Sequence, residues 1–170
     1  MRISALLTSV LGIAAMAAPA FAAPDHKTYP GYACQANNAS IFYSSGRALN
    51  SLATGNDILC PVARDLTVPT QGIQSARVWV IDQDPAIGNV TCMLASRSSP
   101  TVGLHSFEIR RTPPGSSPIP QALSFGTLVP GGTPVLGDAD DYYEVDCSVP
   151  GTAAPAVGFS GIVSYEINEN

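Results

Sequence analysis

From Tyr142 to Val149 the chain alternates. Tyr143, Val145, Cys147 and Val149 fall on one phase, and Tyr142, Glu144, Asp146 and Ser148 on the other. A period of two with one apolar and one polar phase is the pattern of a strand with one buried and one wet face. Val90, Cys92 and Leu94 repeat it, with Thr91 and Met93 opposite. Each cysteine sits in the apolar phase, so a bridge between them would lie inside a core. These two segments therefore read as core strands tied by a disulfide, with the other strands laid around them.

The same pattern recurs along the chain. Ile41-Phe42-Tyr43 makes a short strand, Ser45-Gly46 a turn, and Arg47 to Ala53 can pair back. Thr54-Gly55-Asn56-Asp57 is a turn signal. Ile58, Cys60 and Val62 share one phase of the next strand, and Pro61 inside it points to an edge or a strand end because proline cannot donate to a ladder. Further strands are expected at Arg77–Asp82, Leu104–Arg111, Gln121–Leu128 and Phe159–Asn168, where Ile162 alone breaks the alternation. Ala23 to Gly31 reads as an exposed leader, and Pro113–Pro118, Val129–Asp141 and Pro150–Gly158 read as loops. Some eight to ten strands at this spacing predict an all-β, two-sheet β-sandwich of jelly-roll or Greek-key type.

The first residues stand outside that fold. Arg2 supplies a positive start, Ile3 to Ala18 is mostly apolar, and Ala20-Phe21-Ala22 fits a small-x-small cleavage site. Met1–Ala22 therefore reads as a signal peptide and 23–170 as a single domain. The run is short for a membrane anchor of about 20 residues, no later segment is apolar enough to cross, and the expected location is periplasmic or secreted. All four cysteines, Cys34, Cys60, Cys92 and Cys147, fall in the mature part, and an even number in an exported domain suggests two disulfides. Three connectivities are open; Cys34–Cys60 with Cys92–Cys147 is preferred because each pair closes a separate half. The acids outnumber the bases 13 to 8, a net charge of −5. That balance opposes nucleic acid and anionic membrane surfaces.

Candidate chemistry is sparse. Of two histidines, His26 lies in the leader, which leaves His105 as the one available base. Its neighbour Ser106 points to the other face of a strand, and no nucleophile elbow is present. Carboxylates at Asp82, Asp84, Glu108, Asp140, Asp141 and Glu144 show no spacing that singles out a glycosidase pair. Asp138, Asp140, Asp141 and Glu144 form the densest acidic cluster. They offer oxygen ligands for calcium, although the spacing is not that of an EF-hand and a solvated loop leading into a strand is the favoured explanation. Trp79, the single tryptophan, reads as a core residue rather than a stacking platform for a sugar. Tyr142, on the wet phase of its strand, is the candidate ligand contact.

Cys60-Pro61-Val62-Ala63-Arg64-Asp65, Val78-Trp79-Val80-Ile81-Asp82, Val90-Thr91-Cys92-Met93-Leu94, Tyr142 to Pro150 and Gly161-Ile162-Val163-Ser164-Tyr165-Glu166, in this order, resemble a loose group of exported, disulfide-bonded proteobacterial proteins of unknown function. The resemblance implies a bacterial exported domain and assigns no site. Three functions stay open: a non-catalytic binding domain for a glycan or a cell-surface protein, a structural or self-assembling envelope or coat protein, and a small secreted hydrolase. The thin polar inventory ranks binding or interaction above catalysis.

Overall fold

The computed structural model describes residues 25–37, 41–63, 73–83, 88–97, 104–115, 117–126, 142–152 and 158–169. These residues form eleven strands: β1 (Asp25–Pro30), β2 (Gln35–Ala36), β3 (Ile41–Ser44), β4 (Arg47–Asn50), β5 (Asn56–Val62), β6 (Ile73–Asp82), β7 (Thr91–Arg97), β8 (Leu104–Arg111), β9 (Ser117–Phe125), β10 (Tyr142–Val149) and β11 (Gly161–Glu169). A single 3-10 turn, Gly31–Ala33, follows β1. One sheet has six strands in the order β3-β4-β11-β6-β9, with β1 also on β11; the other has five, in the order β2-β5-β10-β7-β8. Every pairing is antiparallel.

The topology is a jelly roll. The pairs β7–β8, β6–β9, β5–β10 and β4–β11 are nested around the β7–β8 connection, and successive pairs lie alternately in the five- and six-stranded sheets. The inner faces meet in one core that includes Ile58, Val78, Val80, Val90, Leu94, Val145, Ile162, Tyr165 and Ile167. Tyr165 ties the layers: its hydroxyl on β11 donates to the Pro61 carbonyl on β5 at 2.6 Å. Burial first, and then the neighbouring Tyr29, hold this phenol well above its ordinary pKa, so it stays a donor.

Two disulfides are present, Cys34–Cys60 and Cys92–Cys147, and all four cysteines are buried. The second links residues directly opposite each other on the adjacent strands β7 and β10. Pro61 lies beyond the short pairing of β2 with β5, where that side has no ladder to satisfy. Pro118 and Pro120 sit likewise on β9, the edge of the six-stranded sheet, so the expected surface loop ending at Pro118 is in part strand.

Ala23–Gly31 is not an exposed leader over its described part. β1 pairs with β11 along its whole length, Tyr29 stacks on Tyr165 at 4.8 Å between ring centroids, and Lys27 pairs with Glu169 at 2.9 Å. β1 and β4 share one edge of β11, and a bulge between Ile162 and Ser164 separates them. This bulge shifts the phase, so Ile162 and Tyr165 both face inward and the apparent exception at Ile162 disappears. Gly161 allows the close approach: a Cβ there would stand 2.2 Å from the Ala48 carbonyl oxygen.

Asp82 is a buried carboxylate. It accepts from the Val90 amide at 3.1 Å and from the Thr112 hydroxyl at 2.5 Å, tying the end of β6 to the start of β7 and the end of β8 in the other sheet. The bridge between β7 and β10 closes a 55-residue separation at the sheet centre, against 26 for Cys34–Cys60 at its margin. Replacing Cys92 and Cys147 together with alanine should therefore cost about 3–5 kcal/mol, and replacing Cys34 and Cys60 clearly less. Urea unfolding of the two variants checks this, and equal small losses would contradict it.

Candidate functional site

The outer face of the five-stranded sheet is ordered in ranks, because directly opposed residues on antiparallel strands share a face. One rank runs Leu59, Asp146, Met93, Ile109 across β5, β10, β7 and β8. On one side of it lies the rank Asp57, Ser148, Thr91, Arg111. On the other lie Pro61, Glu144, Ala95, Phe107 and then Tyr142, Arg97, Leu104. Five of the nine exposed large hydrophobic side chains among the described residues are here: Leu59, Leu104, Phe107, Ile109 and Tyr142.

β8 explains much of this. Its apolar positions Phe107 and Ile109 point outward, about half exposed, while Ser106 on the opposite phase is 4% exposed. The Ser106 hydroxyl has no hydrogen-bond partner. Burial alone would favour the reverse arrangement. The inward phase is polar because it closes the open edge of the sandwich: Glu108 accepts from the Gly126 amide at 2.8 Å and pairs with Arg110. The apolar phase is thereby left on the surface, beside the acids of β5 and β10.

Two shallow cavities indent this face. Asp57, Thr91, Met93, Ile109, Asp146 and Ser148 line one of about 190 Å³. Asn37, Asp57, Leu59, Arg97, Tyr142, Glu144 and Asp146 line one of about 310 Å³. Asp57 and Asp146 belong to both, so the two adjoin across these carboxylates as one open groove. Arg97 pairs with Glu144, and this hydrogen bond holds the guanidinium above its ordinary pKa. Burial first, then the Asp57 and Glu144 carboxylates, push the Asp146 carboxyl above the usual carboxylate range, against a downward pull from Arg97.

Tyr142 is exposed on β10, as its wet phase predicts, and lines the larger of these two cavities. Glu144 is on the same face but is engaged by Arg97, while its expected calcium partners Asp138, Asp140 and Asp141 fall outside the described residues. Among the described residues no three His, Cys, Asp or Glu side chains come together as metal ligands. Of His105 only the backbone, on β8, is described. His26, expected in a loose leader, is fixed on β1 with Glu166 3.4 Å away. Trp79 is not in the core. It is half-buried on the outer face of the six-stranded sheet, with the Arg77 guanidinium 5.4 Å from its ring centroid. Asp57, Met93, Arg97, Phe107, Ile109 and Asp146 were not singled out by sequence reasoning. Their common signal is cross-strand register, which a single sequence does not carry.

No protein-family model and no curated protein matches the chain. Among solved structures it is similar to a xylan-binding module, CBM15, with 10% identity and a TM-score of 0.56, over 86% of this chain and 97% of that one. It is also matched, at 12% identity, TM-score 0.37 and 85% of its length, to the family 11 carbohydrate-binding module of the cellulosomal cellulase Lic26A-Cel5E of Clostridium thermocellum (85% of that chain). A family 11 module from Clostridium thermocellum in complex with a β-1,3-1,4-mixed-linked tetrasaccharide aligns at the same identity, score and coverage of this chain, over 86% of its own. What the first similarity establishes is the sandwich fold; the other two scores carry no argument.

The Asp146 shift has a consequence for stability. A carboxyl whose folded pKa is raised stabilises the fold below its unfolded pKa and loses that contribution as pH rises through the folded value. Asp146→Asn should accordingly raise the melting temperature at pH 7 by about 1–2 °C, with the advantage shrinking as pH falls into the ordinary carboxylate range. Scanning calorimetry across pH tests this, and a loss of stability at pH 7 would contradict it.

Proposed function

We propose that this chain is an exported, non-catalytic glycan-binding domain, and that the outer face of the five-stranded sheet is its binding surface. The observation that carries the reading is the outward turn of Phe107 and Ile109 beside an open groove lined by Tyr142 and by carboxylates. Pyranose rings present apolar C–H faces and a rim of hydroxyl donors. A surface alternating apolar platforms with acceptor-only carboxylates meets both needs. The sandwich shared with a xylan-binding module supports the same class of ligand. Two paired disulfides fit an oxidising compartment, and among the described residues no helix is long and apolar enough to cross a membrane. Export by a signal peptide at Met1–Ala22 and a bacterial source belong to this proposal.

Hydrolysis is disfavoured by the layout. A glycosidase sets its two carboxyl groups on either side of the bond to be cut. Asp57 and Asp146 project from the same face of one sheet, on adjacent strands, and the cavities they line are open to solvent.

Affinity electrophoresis of the oxidised domain through xylan, mixed-linked β-glucan and cell-envelope polysaccharides tests the proposal. At least one should retard the protein without release of reducing ends. Tyr142→Ala and Ile109→Ser should each weaken that binding roughly tenfold. Retardation indifferent to both changes, or release of sugar, would overturn the assignment. Concentration-dependent assembly lost with Ile109→Ser would favour the self-assembling alternative.

A further inference from the structure

The described carboxylates are not treated alike. Away from the groove, each acid with a described side chain has a partner. Glu166 meets both Arg77 at 3.5 Å and His26 at 3.4 Å, Glu169 meets Lys27, Glu108 meets Arg110, and buried Asp82 is held by hydrogen-bond donors. Within the groove, Glu144 takes up the Arg97 guanidinium. Asp57 and Asp146 stand on adjacent strands and line both cavities; among the described residues neither has an ion pair or side-chain donor, and Arg97, engaged by Glu144, acts on Asp146 only at a distance. Among the described residues, Arg111 is the other cation on this face, at its far side on β8. The two acids are diagonal neighbours, Asp146 opposite Leu59 and Asp57 opposite Ser148, and the Asp57 charge disfavours ionised Asp146. A fold that pairs its other described acids and leaves these two without an ion pair in an open cavity marks a place where a ligand can supply the charge.

We propose that this groove takes a glycan bearing free amino groups, with an ammonium received between Asp57 and Asp146 and the apolar ring faces resting on Tyr142 and on the Met93–Ile109 shoulder. The proposal rests on the reading of this face as a glycan site and names the class of sugar. Charge complementarity selects the ligand. An ammonium relieves the repulsion among Asp57, Asp146 and Glu144, an N-acetylated or neutral sugar leaves it in place, and a uronate adds to it. Selection therefore works by attraction of one class and repulsion of another. Asp57 and Asp146 set specificity, whereas Tyr142 contributes to the binding of any sugar.

The test is calorimetric titration of the full chain, at pH 6 and low salt, with four probes of equal length: oligomers of glucosamine, N-acetylglucosamine, xylose and galacturonate. The glucosamine oligomer should bind roughly tenfold or more tighter than its N-acetylated counterpart, and the galacturonate oligomer should not bind. The double change Asp57→Asn/Asp146→Asn should bring the glucosamine and N-acetylglucosamine oligomers to within about twofold of each other. Glu166→Gln on the opposite sheet should leave the preference intact, which separates site recognition from general attraction of a polyamine to an acidic protein. A preference that survives the double change, or that Glu166→Gln also removes, overturns the proposal. Equal binding of aminated and neutral oligomers, lost in Tyr142→Ala, overturns it while leaving the glycan reading standing. Failure of all four oligomers overturns both.

Discussion

The register of β10 against β7 is the constraint on which the rest depends. Cys147 lies directly opposite Cys92, and their bridge fixes both strands in one alignment with both cysteines inside. A slip of one residue would turn every side chain of β10 to the other face. With the register pinned, Val145 and Val149 must enter the core and Tyr142, Glu144, Asp146 and Ser148 must leave it. The placement of Asp146 beside Met93, and of Glu144 within reach of Arg97, follows from that alignment. The same bridge that holds the core therefore also composes the groove on its outer side.

The surface of the groove is built against local preference. Phe107 and Ile109 are exposed while Ser106 is buried without a partner, and Asp146 is half-buried next to other carboxylates. Each arrangement costs stability. Each becomes intelligible if the face binds a ligand that covers apolar area and offers donors or positive charge. The opposite face of the sandwich shows the ordinary solution. There Glu166 is shared by Arg77 and His26, and Trp79 lies under Arg77.

The sequence disclosed the parts of the fold governed by period-two burial. β5, β7 and β10 carry their phase in Ile58, Cys60 and Val62, in Cys92 and Leu94, and in Val145, Cys147 and Val149, so their inward faces were legible, whereas the disulfide pairing was only a preference among three open connectivities. β1 was not, because Asp25-His26-Lys27-Thr28-Tyr29-Pro30 has no apolar alternation and is held by Tyr29 and by backbone pairing. Trp79 was misplaced because Val78 and Val80 bury the other phase of β6 while residue type alone favours the interior. Of the site, Tyr142 could be read from the wet phase of its own strand. Asp57, Met93 and Ile109 could not, because what joins them is the cross-strand rank, and that depends on distant pairings and on which way the edge strand β8 faces.

The central claim is that the outer face of the five-stranded sheet is the ligand surface. Amide chemical-shift mapping of the labelled domain during titration with a retained glycan tests it most directly. The account predicts shifts confined to β5, β7, β8 and β10 around Leu59, Met93, Phe107, Ile109, Tyr142 and Asp146, with Trp79 and its indole signal unmoved. Shifts centred on Trp79 and Arg77, or on Tyr32, Phe42 and Tyr43 by the β3–β4 hairpin, would contradict it.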